Sequence, residues 1–143
     1  MTTIILHIEA STETCSVALS QDGHVFFERV NRDERSHAKV LAPFVEEALQ
    51  TADEQGAKIN AVALSCGPGS YTSLRIASST AKGVCYGRNI PLIAIPTTAV
   101  MTHWASSAVA ASKSPCSPQE IRMGRAEISA FSASAASCVA ITA

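Results

Sequence analysis

The order of apolar runs along this 143-residue chain predicts an α/β fold whose sheet begins antiparallel and continues parallel. Three observations carry that expectation. Two short apolar runs and an Asp-Gly turn crowd the N-terminus; one helical apolar period follows; strand-like and helical runs then alternate to about Thr102.

Ile4 to Ile8 is an apolar run ended by Glu9, and Cys15 to Leu19 is a second one after the polar turn Ser11-Thr12-Glu13-Thr14. They read as neighbouring strands. Gln21-Asp22-Gly23 suits a tight hairpin, so His24 to Val30, with Val25, Phe26 and Phe27, is predicted to return as a third strand. Apolar residues then recur at Leu41, Phe44, Val45, Ala48, Leu49 and Ala52, one face of a helix. Ser36 is its expected N-cap, and Pro43 is expected to kink it or delay its regular start. Ile59 to Ser65 is a further strand, stopped by Cys66-Gly67-Pro68-Gly69-Ser70. From Thr72 to about Tyr86 the spacing of Leu74, Ala77, Ala81 and Val84 predicts a second helix, with Gly87 as terminator. Pro91 to Ile95 is the last strand, and Pro96-Thr97-Thr98 starts a third helix.

Composition narrows the function classes. Lys plus Arg number 11 against 12 Asp plus Glu, a net charge of -1, which argues against a chain that grips nucleic acid by itself. The N-terminus has no basic segment leading into an apolar core and cleavage site, and no stretch has the ~20 apolar residues of a membrane span, so a cytoplasmic protein is expected. The five cysteines, Cys15, Cys66, Cys85, Cys116 and Cys138, lack a C-x-x-C pair and read as small hydrophobes rather than as a metal or redox set. Residues 1–102 form one predicted lobe. From His103 onward about half the residues are Ala or Ser and the periodicity stops. That 103–143 tail is open between a flexible extension, a frame-shifted remnant and a segment of misidentified residues.

Gly67-Pro68-Gly69-Ser70-Tyr71-Thr72-Ser73-Leu74-Arg75-Ile76 follows a strand and opens a helix. The glycines permit backbone angles closed to other residues, and N–H groups at a helix start attract anions. Yet no Lys follows the second glycine, as a Walker loop needs, and Thr72 stands where a dinucleotide fingerprint needs its third glycine, so spacing favours a tight strand-to-helix turn. The run closely resembles the G-P-G-S-[FY]-T-G-[LV]-R-[IV] signature of the TsaB family, also called YeaZ. Ile8-Glu9-Ala10-Ser11, Cys15-Ser16-Val17-Ala18-Leu19, Ser36-His37, Lys82-Gly83, Pro91-Leu92-Ile93 and Pro96-Thr97 continue the likeness in order, from about Ile4 to Met101.

The resemblance implies a lobe of the actin-like ATPase fold, related to ribonuclease H, used for partner binding and not for catalysis. It implies pairing with TsaD through two helices, Ser36 to Ala52 and Thr72 to Tyr86, with Ser36, His37, Leu41, Leu74, Arg75, Ala77, Ser78 and Lys82 on the interface. The same surfaces imply a homodimer in isolation. TsaD, with the ATPase TsaE, is the family's transferase of threonylcarbamoyl onto the adenosine beside the anticodon. ATP and a divalent metal belong to those subunits; no cofactor, metal or direct tRNA binding is expected of this chain alone. Glu9 and Ser11 are candidates to lie near a nucleotide. His7, His24, His37 and His103 lack the H-x-x-x-H spacing of TsaD's metal pair. Ser73 replaces the signature glycine, which strains the loop if positive φ is required there, Ala77 and Ser79 stand where glycines are usual, and Ala10 occupies a Thr position. The tail is compatible with a remnant of a second lobe through a faint echo at Arg122 to Ile128. The runner-up from another class is an actin-like ATPase or a TsaD-like transferase, and a third reading is a self-associating protein without catalysis.

Overall fold

The computed structural model describes residues 2–33 and 37–103. A five-stranded sheet has the order β3-β2-β1-β4-β5, built from β1 (Ile4–Glu9), β2 (Cys15–Gln21), β3 (His24–Asn31), β4 (Ala61–Ser65) and β5 (Leu92–Ile95). Helices α1 (His37–Glu54) and α2 (Tyr71–Arg88) form its crossovers. β1 pairs antiparallel with β2 and parallel with β4, so the switch from meander to crossover takes place on the central strand.

The reason is visible in the residues. Asp22 and Gly23 both take positive φ, 49° and 86°, the geometry of the tightest hairpin turn, and they return β3 against β2. After β3 the 3.6-residue period of α1 separates the next strand from its partner, and a strand arriving through a helix pairs parallel. Alternation assigns the faces. Ile4, Leu6 and Ile8 of β1, Cys15, Val17 and Leu19 of β2, Phe27 of β3, and Val62 and Leu64 of β4 form one core with Leu41, Val45, Ala48 and Ala52 of α1 and Ala77 and Ala81 of α2. Each fully buried aliphatic of the Leu or Val class contributes about 1.5–3 kcal/mol. Alanines at 48, 52, 77 and 81, all fully buried, let both helices lie close to the sheet and to each other.

The opposite face is also buried but differently composed. Ile5, Ala63, Ile93, Ile95 and Val100 form a small apolar cluster, beside which His7, Ser16, Ser20 and Ser65 are buried polar groups. His7 Nε2 is 2.7 Å from Ser20 Oγ. Burial lowers the His7 pKa from 6.5 to about 4, because an imidazolium loses its hydration there.

Several expectations shift. α1 runs without interruption through Pro43; that residue and Lys39, whose carbonyl loses its i+4 donor, both face solvent, so water can serve the freed oxygen. α2 does not stop at Gly87. It ends at Asn89, which takes the left-handed conformation at φ 51°, and the following Ile90 N–H donates to the Cys85 carbonyl. Ser73 carries no strain, since it lies inside regular α2 and its hydroxyl reaches Ser70 Oγ at 3.1 Å. Cys15 is buried and Cys85 half-buried as expected of small hydrophobes, whereas Cys66 is exposed. A helix occupies 97–103 after β5. The expected cap at Ser36, the His37 side chain, Cys116, Cys138, the Arg122 to Ile128 echo and the tail beyond His103 lie outside the described residues.

Two outcomes are expected. Leu41→Ala should cost about 2–5 kcal/mol of stability in urea denaturation, because Leu41 is 1% exposed within the core. For His7, the unfolded chain holds a proton that the native chain refuses between about pH 4 and 6.5, so native stability falls as pH drops through that window. Relative to His7→Gln, the wild type should lose about 3 kcal/mol between pH 7 and pH 4 and change little below; parallel pH curves for the two proteins would refute this.

Candidate functional site

Parallel α/β sheets place their ligand or partner chemistry outside the carboxyl ends of the strands. Here β1, β4 and β5 run parallel, and their ends at Glu9, Ser65 and Ile95 stand side by side. Three connections leave this edge: the β1–β2 turn at residues 10–14, the β4–α2 loop at 66–70, and Pro96 before the helix at 97–103.

The β4–α2 loop is fastened at both ends. On one side Cys66 N–H donates to the Ile95 carbonyl at 2.9 Å, Thr97 N–H to the Gly67 carbonyl at 2.8 Å, and Gly67 N–H to Thr97 Oγ1 at 3.2 Å. On the other, Ser70 N–H donates to the Ser11 carbonyl at 2.9 Å. Gly67 has φ +107°, a conformation L side chains rarely adopt, and Leu74 Cδ1 packs beneath it. Gly69 is required for a different reason: a Cβ there would sit 2.3 Å from the Ser11 carbonyl oxygen.

The β1–β2 turn is closed in the same inward way. Glu9 Oε1 accepts from Ser11 N–H at 2.7 Å and from Ser11 Oγ at 2.5 Å. Glu9 and Ser11 therefore stand at the edge where the sequence put them, but their polar groups face each other. Burial, with the Glu9 carboxylate adding to it, pushes the neighbouring Cys15 thiol up to about 11, so it stays protonated and poorly nucleophilic. Three of the four N–H groups that residues 66–70 can offer, those of Cys66, Gly67 and Ser70, already have protein acceptors. These bonds are those of a tight strand-to-helix turn, the form that the spacing predicted. Among the described residues no group of three or more His, Cys, Asp or Glu side chains is placed to share a metal ion, and no helix is long and apolar enough to cross a membrane.

What the loop presents is the outer face of α2. Tyr71, Thr72, Arg75, Ile76, Ser79 and Thr80 line an open depression of about 400 Å³. The Arg75 guanidinium lies 5.5 Å from the centre of the Tyr71 ring, a cation–π pairing that holds it over the first turn. Tyr71 is 74% exposed, and Tyr86, near the far end of the same helix, is 92% exposed. Arg88 is held differently, by two hydrogen bonds of 2.8 and 2.7 Å to the Asp53 carboxylate, and so fastens the C-terminal ends of α1 and α2 together.

The interface residues expected from the sequence thus separate. Arg75 and Lys82 face outward and Ser78 is half-buried. Leu41 and Ala77 do not reach a partner: they are 1% and 0% exposed inside the lobe's own core, and a charge there would break the fold before it touched an interface. Leu74 turns partly inward beneath Gly67. Sequence reasoning did not single out Ile76, Ser79, Thr80 and Tyr86: Ser79 continues the four-residue step 71, 75, 79 and is exposed, Ile76 and Thr80 follow Thr72 at the same step and are half-buried, and Tyr86 stands exposed two turns beyond Ser79.

Comparison with known proteins follows the same line. The sequence model of the family described as TsaD, tRNA N6-adenosine threonylcarbamoyltransferase, matches residues 25–121. The tRNA threonylcarbamoyladenosine biosynthesis protein TsaB of Escherichia coli strain K12 is 39% identical over 103 residues, covering 71% of this chain and 43% of that protein. The solved structure of YeaZ from Pseudomonas aeruginosa superposes with a TM-score of 0.63 at 30% identity, over 73% of this chain and 49% of that one. The chain therefore spans under half the length of each of these two relatives. RuvC of Thermus thermophilus, solved with a Holliday junction substrate, shares the fold at a TM-score of 0.58 and 11% identity, covering 97% of this chain and 96% of that one.

Glycine substitutions should separate the loop from the helix. Gly67→Ala should destabilise by about 1–3 kcal/mol because of its positive φ. Gly83→Ala, on α2 with nothing within 4 Å of the added methyl, should stabilise by about 0.5–1 kcal/mol. Thermal unfolding of both variants checks the opposite signs.

Proposed function

The chain belongs to the TsaB (YeaZ) family, on the TsaD-like α/β fold, and from that premise we propose that it acts in tRNA threonylcarbamoyladenosine biosynthesis as a non-catalytic partner of a TsaD-type transferase. The observation that carries the reading is the outward face of α2, where Tyr71, Arg75, Ser79 and Tyr86 form an exposed row on a helix fastened at both ends. Such a row is small in its middle and aromatic at its ends. A partner helix can approach closely at Ser79 and Gly83 while Tyr71 and Tyr86 supply contact area at low conformational cost. Arg75, preset by the Tyr71 ring, offers a planar fork of donors to a partner carboxylate or carbonyl.

In this reading the chain performs no step of the transfer. ATP and a divalent metal act in the partner subunits, TsaD and a TsaE-type ATPase, and tRNA is gripped elsewhere in the complex. The commitment of the 66–70 amides to Ser11, Ile95 and Thr97 supports this over an ATPase or transferase reading, since a phosphate would have to displace bonds the turn depends on. In the absence of TsaD the same α2 face pairs two copies of the chain. It acts where its partners act, in the cytoplasm.

Arg75→Glu combined with Ser79→Tyr should weaken binding to purified TsaD by about a hundredfold or more, a hot-spot loss, while leaving thermal stability within about 0.5 kcal/mol. Calorimetric titration measures the first and a melting curve the second. Wild-type affinity in the double variant would remove the α2 face from the interface.

A further inference from the structure

Glu9 ends the central strand, is 7% exposed, and uses one oxygen twice on the same residue. A carboxylate withdrawn from water is costly unless its hydrogen bonds are supplied, and both that Oε1 receives here come from Ser11. Holding Ser11 by its amide and its hydroxyl leaves its carbonyl oxygen aimed away from Glu9, at Ser70 N–H. Ser70 is the residue before α2, and its own carbonyl accepts the Leu74 N–H at 2.9 Å, the bond that starts the helix. Gly69 presses on the same Ser11 carbonyl, so neither residue can shift without the other.

We propose that Glu9 is a positioning residue for the docking face of α2: through Ser11 it fixes where the helix starts, and with it the placement of Tyr71 and Arg75. The inference rests on the pairing reading above. The contrast between the two ends of α2 sharpens it. At the C-terminal end the Asp53–Arg88 pair and the Asn89 cap hold the helix independently of Glu9. At the N-terminal end Ser70 makes no side-chain cap to the helix backbone, and the fastening of Ser70 N–H to Ser11 is what ties the first turn to the sheet. Loss of the carboxylate therefore loosens one end of the docking row and leaves the other in place. Tyr71 and Arg75 lie on the loosened end; Tyr86 does not.

Hydrogen exchange and TsaD titration on the full chain test this together. Glu9→Ala should speed amide exchange at residues 70–75 and weaken TsaD binding, each by about tenfold, the order expected for losing charge-assisted hydrogen bonds. Exchange at residues 82–88 should stay at the wild-type rate. Glu9→Gln keeps one acceptor oxygen at the same reach and should fall between wild type and Glu9→Ala in both readouts; it also serves if the alanine variant does not fold. Unchanged exchange at 70–75, or a rise spread evenly over all of α2, overturns the proposal. Weakened binding with undisturbed exchange overturns it too, since Glu9 would then be touching the partner itself. A local rise at 70–75 in a chain whose wild type ignores TsaD supports the positioning of α2 and overturns the pairing reading instead.

Discussion

The placement of α2 depends on a backbone contact that admits no side chain, Gly69 against the carbonyl of Ser11. It joins the turn after the central strand to the loop before the second helix. Two strands of a sheet fix each other through regular hydrogen bonds, but a helix laid across them can slide and rotate unless an end is tied. Here the N-terminal tie is Ser70 N–H on the Ser11 carbonyl and the C-terminal tie is Arg88 on Asp53, a partly exposed pair whose contribution is modest and whose geometry is specific. Between the ties, Ser73, Ala77 and Ala81 supply a flat inner surface that lets the helix lie close to the strands.

That arrangement leaves α2 with two faces of unlike character. The inner face is small and apolar. The outer face has hydroxyls, aromatic rings and cations, and the helix contains no acidic residue, while α1 beside it carries Glu46, Glu47, Asp53 and Glu54 in its second half. Glu47 is engaged by Arg29 of β3, and Asp53 by Arg88. The acidic helix thus has part of its charge answered within the lobe, whereas Arg75 on α2 is exposed and leans on the Tyr71 ring.

Much of the fold was legible because its signals were local. Asp22-Gly23 dictated the hairpin, Leu41 to Ala52 gave the helical period, and Gly67-Pro68-Gly69 marked the loop. The element boundaries moved where a three-dimensional partner decided them. Asn89 outcompeted Gly87 as terminator because Ile90, which packs on the core, draws the chain back over the last turn. The site was only half legible. Glu9, Ser11 and the glycine loop could be located, yet the bond that ties them together, Ser70 N–H to the Ser11 carbonyl, joins segments far apart in the sequence, and periodicity carries no information on such pairs. The residues expected at an interface divided by a helical rotation of 100° per residue: Ala77 and Arg75 are two positions apart and face opposite ways. Assigning them requires knowing which side of α2 the sheet takes, and small residues are compatible with either side.

A turn that follows a strand and opens a helix exposes amide donors, and many folds use them to hold phosphate. This chain keeps the turn and redirects the donors: Gly67 to Thr97, Ser70 to Ser11, and the Ser11 amide to Glu9. Each redirected bond removes a possible ligand contact and adds a mechanical one. A loop that binds phosphate must part with water and accept the ligand reversibly, which favours donors left free. A loop that aims a helix at a partner gains from the opposite arrangement, because orientational freedom retained before docking must be given up on docking. The same glycine-rich sequence is thus consistent with either use, and the difference lies in whether the neighbouring turn supplies the acceptors. Here Ser11 and Thr97 supply acceptors to Ser70 and Gly67, and through them the strand ends carry the mount of α2.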